Sequence, residues 1–262
     1  MKKVLAVIGS PRVGETYKAV SKFVRALNNF CDAEVEFVML SKVGFEDCTG
    51  CHSCFLKGQE FCMEAPKVKE IEDKMLSADA IILATPVYNQ NVTALMKKFL
   101  DYFTFLWHRP EMFGVKFFGI STGGGVFKEV FKLLKNNVNS WGGTWVGDLG
   151  IPHYDSLTDK FRGKCDKDLE KKAKLLSRAM EIKELPSPGI GKLMTFNIWK
   201  MNAKACKDYN PADYAYWCEK GLFEKDFYYP VKINIFVKAV TVILSRMARS
   251  FMKKVYLGYE EV

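Results

Sequence analysis

Apolar residues in this chain fall either in short unbroken runs or at three- and four-residue intervals within longer polar stretches. The first unbroken run is Val4, Leu5, Ala6, Val7 and Ile8. Five apolar positions without alternation suit a strand covered on both faces, as in the middle of a parallel sheet flanked by helices. Residues 34–40 (EVEFVML), 80–85 (AIILAT), 115–121 (VKFFGIS) and, more weakly, 144–150 (TWVGDLG) predict four further strands. Helical spacing follows the first run at Val20, Phe23, Val24 and Leu27. It recurs over 68–76, 93–106 and 126–138, and in a charged segment, 159–184, with Leu169, Ala173, Leu176 and Met180 on one face. Strict alternation of strand and helix predicts an α/β architecture, a doubly wound five-stranded parallel sheet. Its ligand loops lie at the carboxyl ends of the strands and its crevice at the switch point.

The alternation ends at 185–191 (LPSPGIG), a punctuated connection followed by about seventy residues with no place in a five-stranded sheet. Two parts are therefore expected: a sheet domain over 1–185 and a helical, aromatic-rich extension over 186–262. The extension carries Phe196, Trp199, Tyr214, Trp217, Phe227 and Tyr228, and then an amphipathic stretch, 231–255. There Ile233, Phe236, Val240, Ile243, Met247 and Phe251 share one face, with six Lys and Arg residues close by. Packing over the sheet domain or against a second copy in a homodimer or homotetramer is the plainer expectation for that face. A helix lying on an acidic membrane surface is the alternative.

Bulk properties narrow the class. At 262 residues and 48% apolar, the chain can bury a sizeable core, and no apolar run approaches the ~20 residues of a membrane span. The amino terminus passes from Met1-Lys2-Lys3 straight into the first strand, without the features of a secretory signal, so a cytoplasmic protein is expected. The eight cysteines then read as thiols or metal ligands rather than disulfides. A formal charge of +9 favours anionic partners. No nucleic-acid-binding pattern accompanies it, which directs the expectation away from nucleic acid and toward a phosphorylated cofactor.

The loop after the first strand reads Gly9-Ser10-Pro11-Arg12-Val13-Gly14-Glu15-Thr16. Backbone N–H groups at a helix start, the Ser10 and Thr16 hydroxyls and the Arg12 charge suit a phosphate monoester, with Thr16 at the expected helix cap. The spacing matches neither G-x-x-x-x-G-K-[ST] nor G-x-G-x-x-G, which leaves a mononucleotide loop. After the third strand, Pro86, Val87, Tyr88, Asn89 and Asn91 form a polar loop with amides and one aromatic surface for a ring. After the fourth, Thr122-Gly123-Gly124-Gly125 leaves the backbone open to close approach by a flat ligand.

These residues resemble the flavodoxin-like NAD(P)H-dependent FMN reductases. The first loop of that family commonly reads G-S-P-R followed by G-N-T, with Glu15 here in place of the asparagine. The family's P-x-Y loop precedes a helix with a K-x-F-x-D pattern, matched by Pro86, Tyr88, Lys98, Phe99 or Leu100, and Asp101. The resemblance implies FMN on the three loops, NAD(P)H as hydride donor, and a small electron acceptor such as a quinone, free flavin or nitroaromatic. A non-enzymatic partner- or membrane-binding protein on the same shell is the contrasting reading.

Cys48, Cys51, Cys54 and Cys62 form a C-x2-C-x2-C-x7-C run. Such spacing permits a [4Fe-4S] cluster, a tetrathiolate zinc site, or bare thiols lining the site. The run is similar to that of the iron–sulfur flavoproteins, a branch of the same group, and the likeness implies an electron carrier as a second function. His52 reads as an exposed loop histidine. His108 and His153 stand at no diagnostic spacing from an acid or a nucleophile.

Overall fold

The computed structural model describes residues 1–256, 258 and 259, and its chain divides into two compact units. The first comprises Met1–Gly50 and Glu64–Lys183, and the second Cys51–Met63 and Glu184–Val262. The segment with Cys51, Cys54 and Cys62 thus groups with the carboxy-terminal region, while Cys48 belongs to the first unit.

In the first unit the order is β1 (Lys2–Ile8), α1 (Glu15–Asn28), β2 (Ala33–Met39), α2 (Leu40–Val43), then α3 (Ser53–Leu56) in the other unit. It resumes with α4 (Ala65–Ser77), β3 (Ala80–Pro86), α5 (Ala94–Tyr102), β4 (Lys116–Gly123), α6 (Phe127–Ser140), β5 (Thr144–Pro152) and α7 (Asp159–Glu181). All five strands are parallel, in the order β2-β1-β3-β4-β5, the flavodoxin-like arrangement, with one register shift between Phe117 and Phe118. The chain steps outward from β1 to β2 and then back across to β3, so the switch point lies between β1 and β3.

The unbroken apolar runs are the buried centre: Val4 to Ile8 and Ala80 to Ala84 are each at most 2% exposed. Side chains alternate across the sheet, so each run feeds two cores. Val20, Phe23 and Leu27 of α1 and Leu169, Ala173 and Leu176 of α7 cover one face, where Phe23 stacks on Phe118 at 4.8 Å between ring centroids. Elsewhere in the unit Trp141 gathers Phe99, Phe103 and Phe117 at 6.0 to 6.2 Å.

Two expectations change locally. Thr16 is not the cap of α1: the helix starts one residue earlier behind Gly14, which makes no side-chain cap, and Thr16 lies buried in the first turn. The helix expected over 93–106 ends at Tyr102 and continues as a 3-10 turn, Thr104–Trp107, because its aromatic residues turn inward toward Trp141. Thr93 caps α5, its hydroxyl accepting from the Met96 amide at 3.2 Å.

The second unit holds α3, α8 (Ile190–Ala205), α9 (Pro211–Glu219) and α10 (Ile235–Val255). Its aromatic residues form a core of their own. Phe196 meets Trp217, Phe227 and Tyr228 at 5.2, 5.6 and 4.8 Å between ring centroids, and Trp217 is 1% exposed. Burial raises the Tyr228 hydroxyl well above its ordinary pKa. Among the described residues no helix is long and apolar enough to cross a membrane.

Phe99 tests the α5 side of the sheet, since it is fully buried against Phe103 and Trp141. Phe99→Ala is expected to lower stability by about 3–5 kcal/mol, read as a drop in the urea unfolding midpoint. A midpoint within error of the parent chain's would show that Phe99 faces a pliable ligand surface instead.

Candidate functional site

The carboxyl ends of β1, β3 and β4 bring the three loops singled out in the sequence to one end of the sheet. Specific contacts join them. The Gly9 carbonyl accepts the Thr93 hydroxyl at 2.5 Å, and the Gly9 amide donates to the Ala84 carbonyl at 2.8 Å. A Cβ on Gly9 would lie 2.8 Å from the Met96 Cβ, so only glycine lets the first loop pass this close to α5. The Thr16 and Thr122 hydroxyls hydrogen-bond to each other at 2.7 Å, tying the start of α1 to the end of β4. Val87 donates its amide to the Thr122 carbonyl at 2.8 Å, which docks the β3 loop on the β4 loop.

Within the first loop the Ser10 hydroxyl donates to the Arg12 carbonyl at 2.8 Å, bending the chain so that Arg12 is exposed beside the start of α1. Because Gly14 offers no side-chain oxygen, the N–H groups of the first turn have no side-chain cap and stay available to an anion. In the β3 loop Tyr88 and Asn91 exchange both backbone hydrogen bonds at 3.0 Å. Asn89 and Gln90 between them take φ of 47° and 63°, the backbone of a tight two-residue turn. That turn presents the Tyr88 ring, 49% exposed. In the β4 loop a Cβ on Gly123 would lie 3.1 Å from the Val87 Cβ, whereas one on Gly125 would meet nothing within 4 Å. Val126, next in line, takes φ of 60°, a costly choice for a β-branched residue. Three non-glycine residues, Asn89, Gln90 and Val126, thus take positive φ in or just after the β3 and β4 loops.

Ser10, Arg12, Val87, Tyr88, Asn89, Asn91, Gly124 and Gly125 lie in the loops at this end of the sheet, with Thr16 in the first turn of α1, Pro86 closing β3, and Thr122 and Gly123 closing β4. Their donors fit FMN. An uncapped helix start beside two hydroxyls and a guanidinium suits the phosphate, and an open glycine backbone with a half-exposed ring suits the flat heterocycle. Phe99 is buried in the core against Phe103 and Trp141. Lys98 is held by Asp47 at 2.6 Å, and Asp101 by Lys97 at 2.5 Å.

His153, at no diagnostic spacing in the sequence, gains a partner in the fold. The His153 Nδ1 lies 3.2 Å from Glu15 Oε2, across 138 positions, and its Nε2 is 3.9 Å from where a Cβ on Gly124 would stand. Glu15, the departure from the family's asparagine, is therefore held by a histidine at the end of β5. Only the fold brings the two together, and no spacing in the sequence signals it. Behind them, a cavity of about 430 Å³ is lined by α1, the end of β5 and α7, and it shares only Glu15 and Thr122 with the loops. Inside it Lys22 contacts Asp166 at 2.5 Å and the Tyr154 hydroxyl at 2.7 Å. Burial pushes the Lys22 ammonium down, but these two partners outweigh it and its pKa is raised.

The cysteines are arranged differently from the loops. All four are thiols; Cys48 and Cys51 are exposed, and Cys51 donates to the Ser53 hydroxyl at 3.3 Å. Among the described residues no group of three or more His, Cys, Asp or Glu side chains is gathered to hold a metal ion.

Comparison with known proteins agrees with the loops. The family model of NADPH-dependent FMN reductases matches residues 2–147. A protein of Archaeoglobus fulgidus named iron-sulfur flavoprotein is 33% identical over 233 residues, covering 84% of this chain and 99% of its own. An iron-sulfur flavoprotein of Methanocaldococcus jannaschii is 33% identical over 99 residues, 38% of this chain and 49% of its own. Among solved structures, an azoreductase of Bacillus anthracis superposes with a TM-score of 0.52 at 18% identity, covering 70% of this chain and all of its own. A putative quinone reductase of Klebsiella pneumoniae superposes with a TM-score of 0.53 at 15% identity, covering 66% and 83%. These structural likenesses bear on the fold alone. The family model spans more than half of the chain, and the Archaeoglobus relative is matched over nearly its whole length. The chain belongs to the NADPH-dependent FMN reductase family, a family of FMN-dependent oxidoreductases.

Proposed function

We infer that this chain is an FMN-dependent NAD(P)H oxidoreductase that passes electrons from a nicotinamide to a small acceptor of quinone, flavin or nitroaromatic type. The observation that carries the reading is the uncapped start of α1 beside the Thr16–Thr122 hydrogen bond, at the carboxyl end of a parallel sheet. Ser10, Arg12 and Thr16 would hold the phosphate through charge and N–H or O–H donors. Tyr88 and the 123–125 backbone would bracket the ring, with Pro86, Val87, Asn89 and Asn91 keeping the β3 loop in its turn. Bound FMN supplies the two-electron chemistry, and no side-chain acid or base is needed for hydride transfer itself. The protein's part is to bind, orient and shield.

One observation favours a second reading, an iron–sulfur electron carrier: the relative matched over 84% of this chain bears the name iron-sulfur flavoprotein. On that reading Cys48, Cys51, Cys54 and Cys62 would be the ligands. Because the thiols are not gathered as described, no step of the present reading runs through them.

Removing a charge-assisted donor costs about 1.5–3 kcal/mol, so Thr16→Val and the exposed Arg12→Ala should each weaken FMN binding by roughly 10- to 100-fold. Quenching of FMN fluorescence on titration measures this, and an unchanged Kd in both variants would remove FMN from this loop. Anaerobic mixing of the FMN-loaded protein with NADPH or NADH should bleach its visible absorbance within turnover time. If neither nicotinamide does so while anaerobically purified protein carries stoichiometric iron and acid-labile sulfide, the carrier reading replaces the reductase.

A further inference from the structure

The carboxy-terminal helix α10 carries more apolar surface than its own unit covers. Thr241 is its one buried residue. It faces α8 through a narrow, small-residue side, where Asn197 Nδ2 donates to Ser245 Oγ at 3.1 Å and Val237, Ala248 and Met252 are half-buried. Around from that side, Phe236, Val240, Ile243, Met247 and Phe251 recur at helical spacing and are 78%, 40%, 59%, 65% and 63% exposed. A continuous stripe of this kind marks an interaction surface rather than scattered surface apolar residues.

Charge selects the occupant. Among its 21 residues α10 has five Lys or Arg and no Asp or Glu, and the adjoining α8 adds Lys192, Lys200 and Lys204, again with no acid. Lys238 is engaged by Asp226 at 2.6 Å, whereas Arg246, Arg249 and Lys254 give the helix its outward positive charge. Self-pairing of such helices would set cation against cation and bury the stripe at an electrostatic cost. An anionic lipid surface meets both demands, because headgroups neutralise the guanidinium and ammonium groups while the stripe enters the boundary with the acyl chains. The long Arg and Lys stems reach outward from an apolar face without burying their charge.

We propose that α10 docks this protein on an anionic membrane surface, lying in the plane of the interface with the Phe236–Ile243–Met247–Phe251 stripe inserted. This docking is independent of whether FMN occupies the loops. It also accommodates the lack of a membrane-crossing helix among the described residues, because an interfacial helix needs amphipathicity rather than uniform hydrophobicity.

The test is co-sedimentation of the full chain with vesicles of pure phosphatidylcholine and with vesicles containing 30% phosphatidylglycerol. Binding is expected to the anionic vesicles and to weaken steeply with added salt. Arg246→Gln with Arg249→Gln should weaken it about 30-fold, at ~1 kcal/mol per cation near the surface. A Phe236→Ser, Ile243→Ser, Met247→Ser triple variant should abolish it, with helical circular dichroism unchanged because all three side chains are exposed. No vesicle binding at low salt overturns the proposal, whatever acidic protein covers the face instead. Equal binding to both vesicle types overturns it too. So does light scattering in which the triple variant turns an oligomer into a monomer, for then a second copy covers the stripe.

Discussion

The Gly9 carbonyl takes the Thr93 hydroxyl at 2.5 Å, at a point where a Cβ would come within 2.8 Å of Met96. This contact locks the exit of β1 against the start of α5, across the place where the chain switches direction in the sheet. Everything proposed for the loops depends on it. If the first loop stood further from α5, the start of α1 and the Tyr88 turn would no longer share one end of the crevice. The same Thr93 hydroxyl caps α5, so one side chain fixes both the helix and the loop.

The site is otherwise built from backbone. The Thr16–Thr122 bond and the Val87 amide on the Thr122 carbonyl tie the loops together, Gly14 leaves α1 without a side-chain cap, and Gly125 has space around it. Such a surface suits a cofactor that brings its own reactivity, since orientation and charge are what remain to be supplied. Glu15, at the start of α1, lies 3.2 Å from the Nδ1 of His153, the residue that follows β5.

The carboxy-terminal unit follows a different logic. Its rings pack into a core around Phe196 and Trp217, so the aromatic richness of the sequence serves the unit's own interior. What that core leaves over is the outer side of α10, apolar and cationic together.

Sequence alone determined the five strands, their parallel alternation with helices and the three loops that follow β1, β3 and β4, because unbroken apolar runs and glycine or proline punctuation are local signals. Val4 to Ile8 and Ala80 to Ala84 could be buried in one way only, and the 9–16 and 122–125 loops carry their chemistry in adjacent residues. Tertiary structure decided what depends on distant partners. It moved Thr16 from a helix cap to a partner of Thr122, took Phe99 into the Trp141 core, and brought His153 to Glu15 across 138 positions. The spacing of Cys48, Cys51, Cys54 and Cys62 permits a ligand set, and nothing local to it tells a cluster from bare thiols.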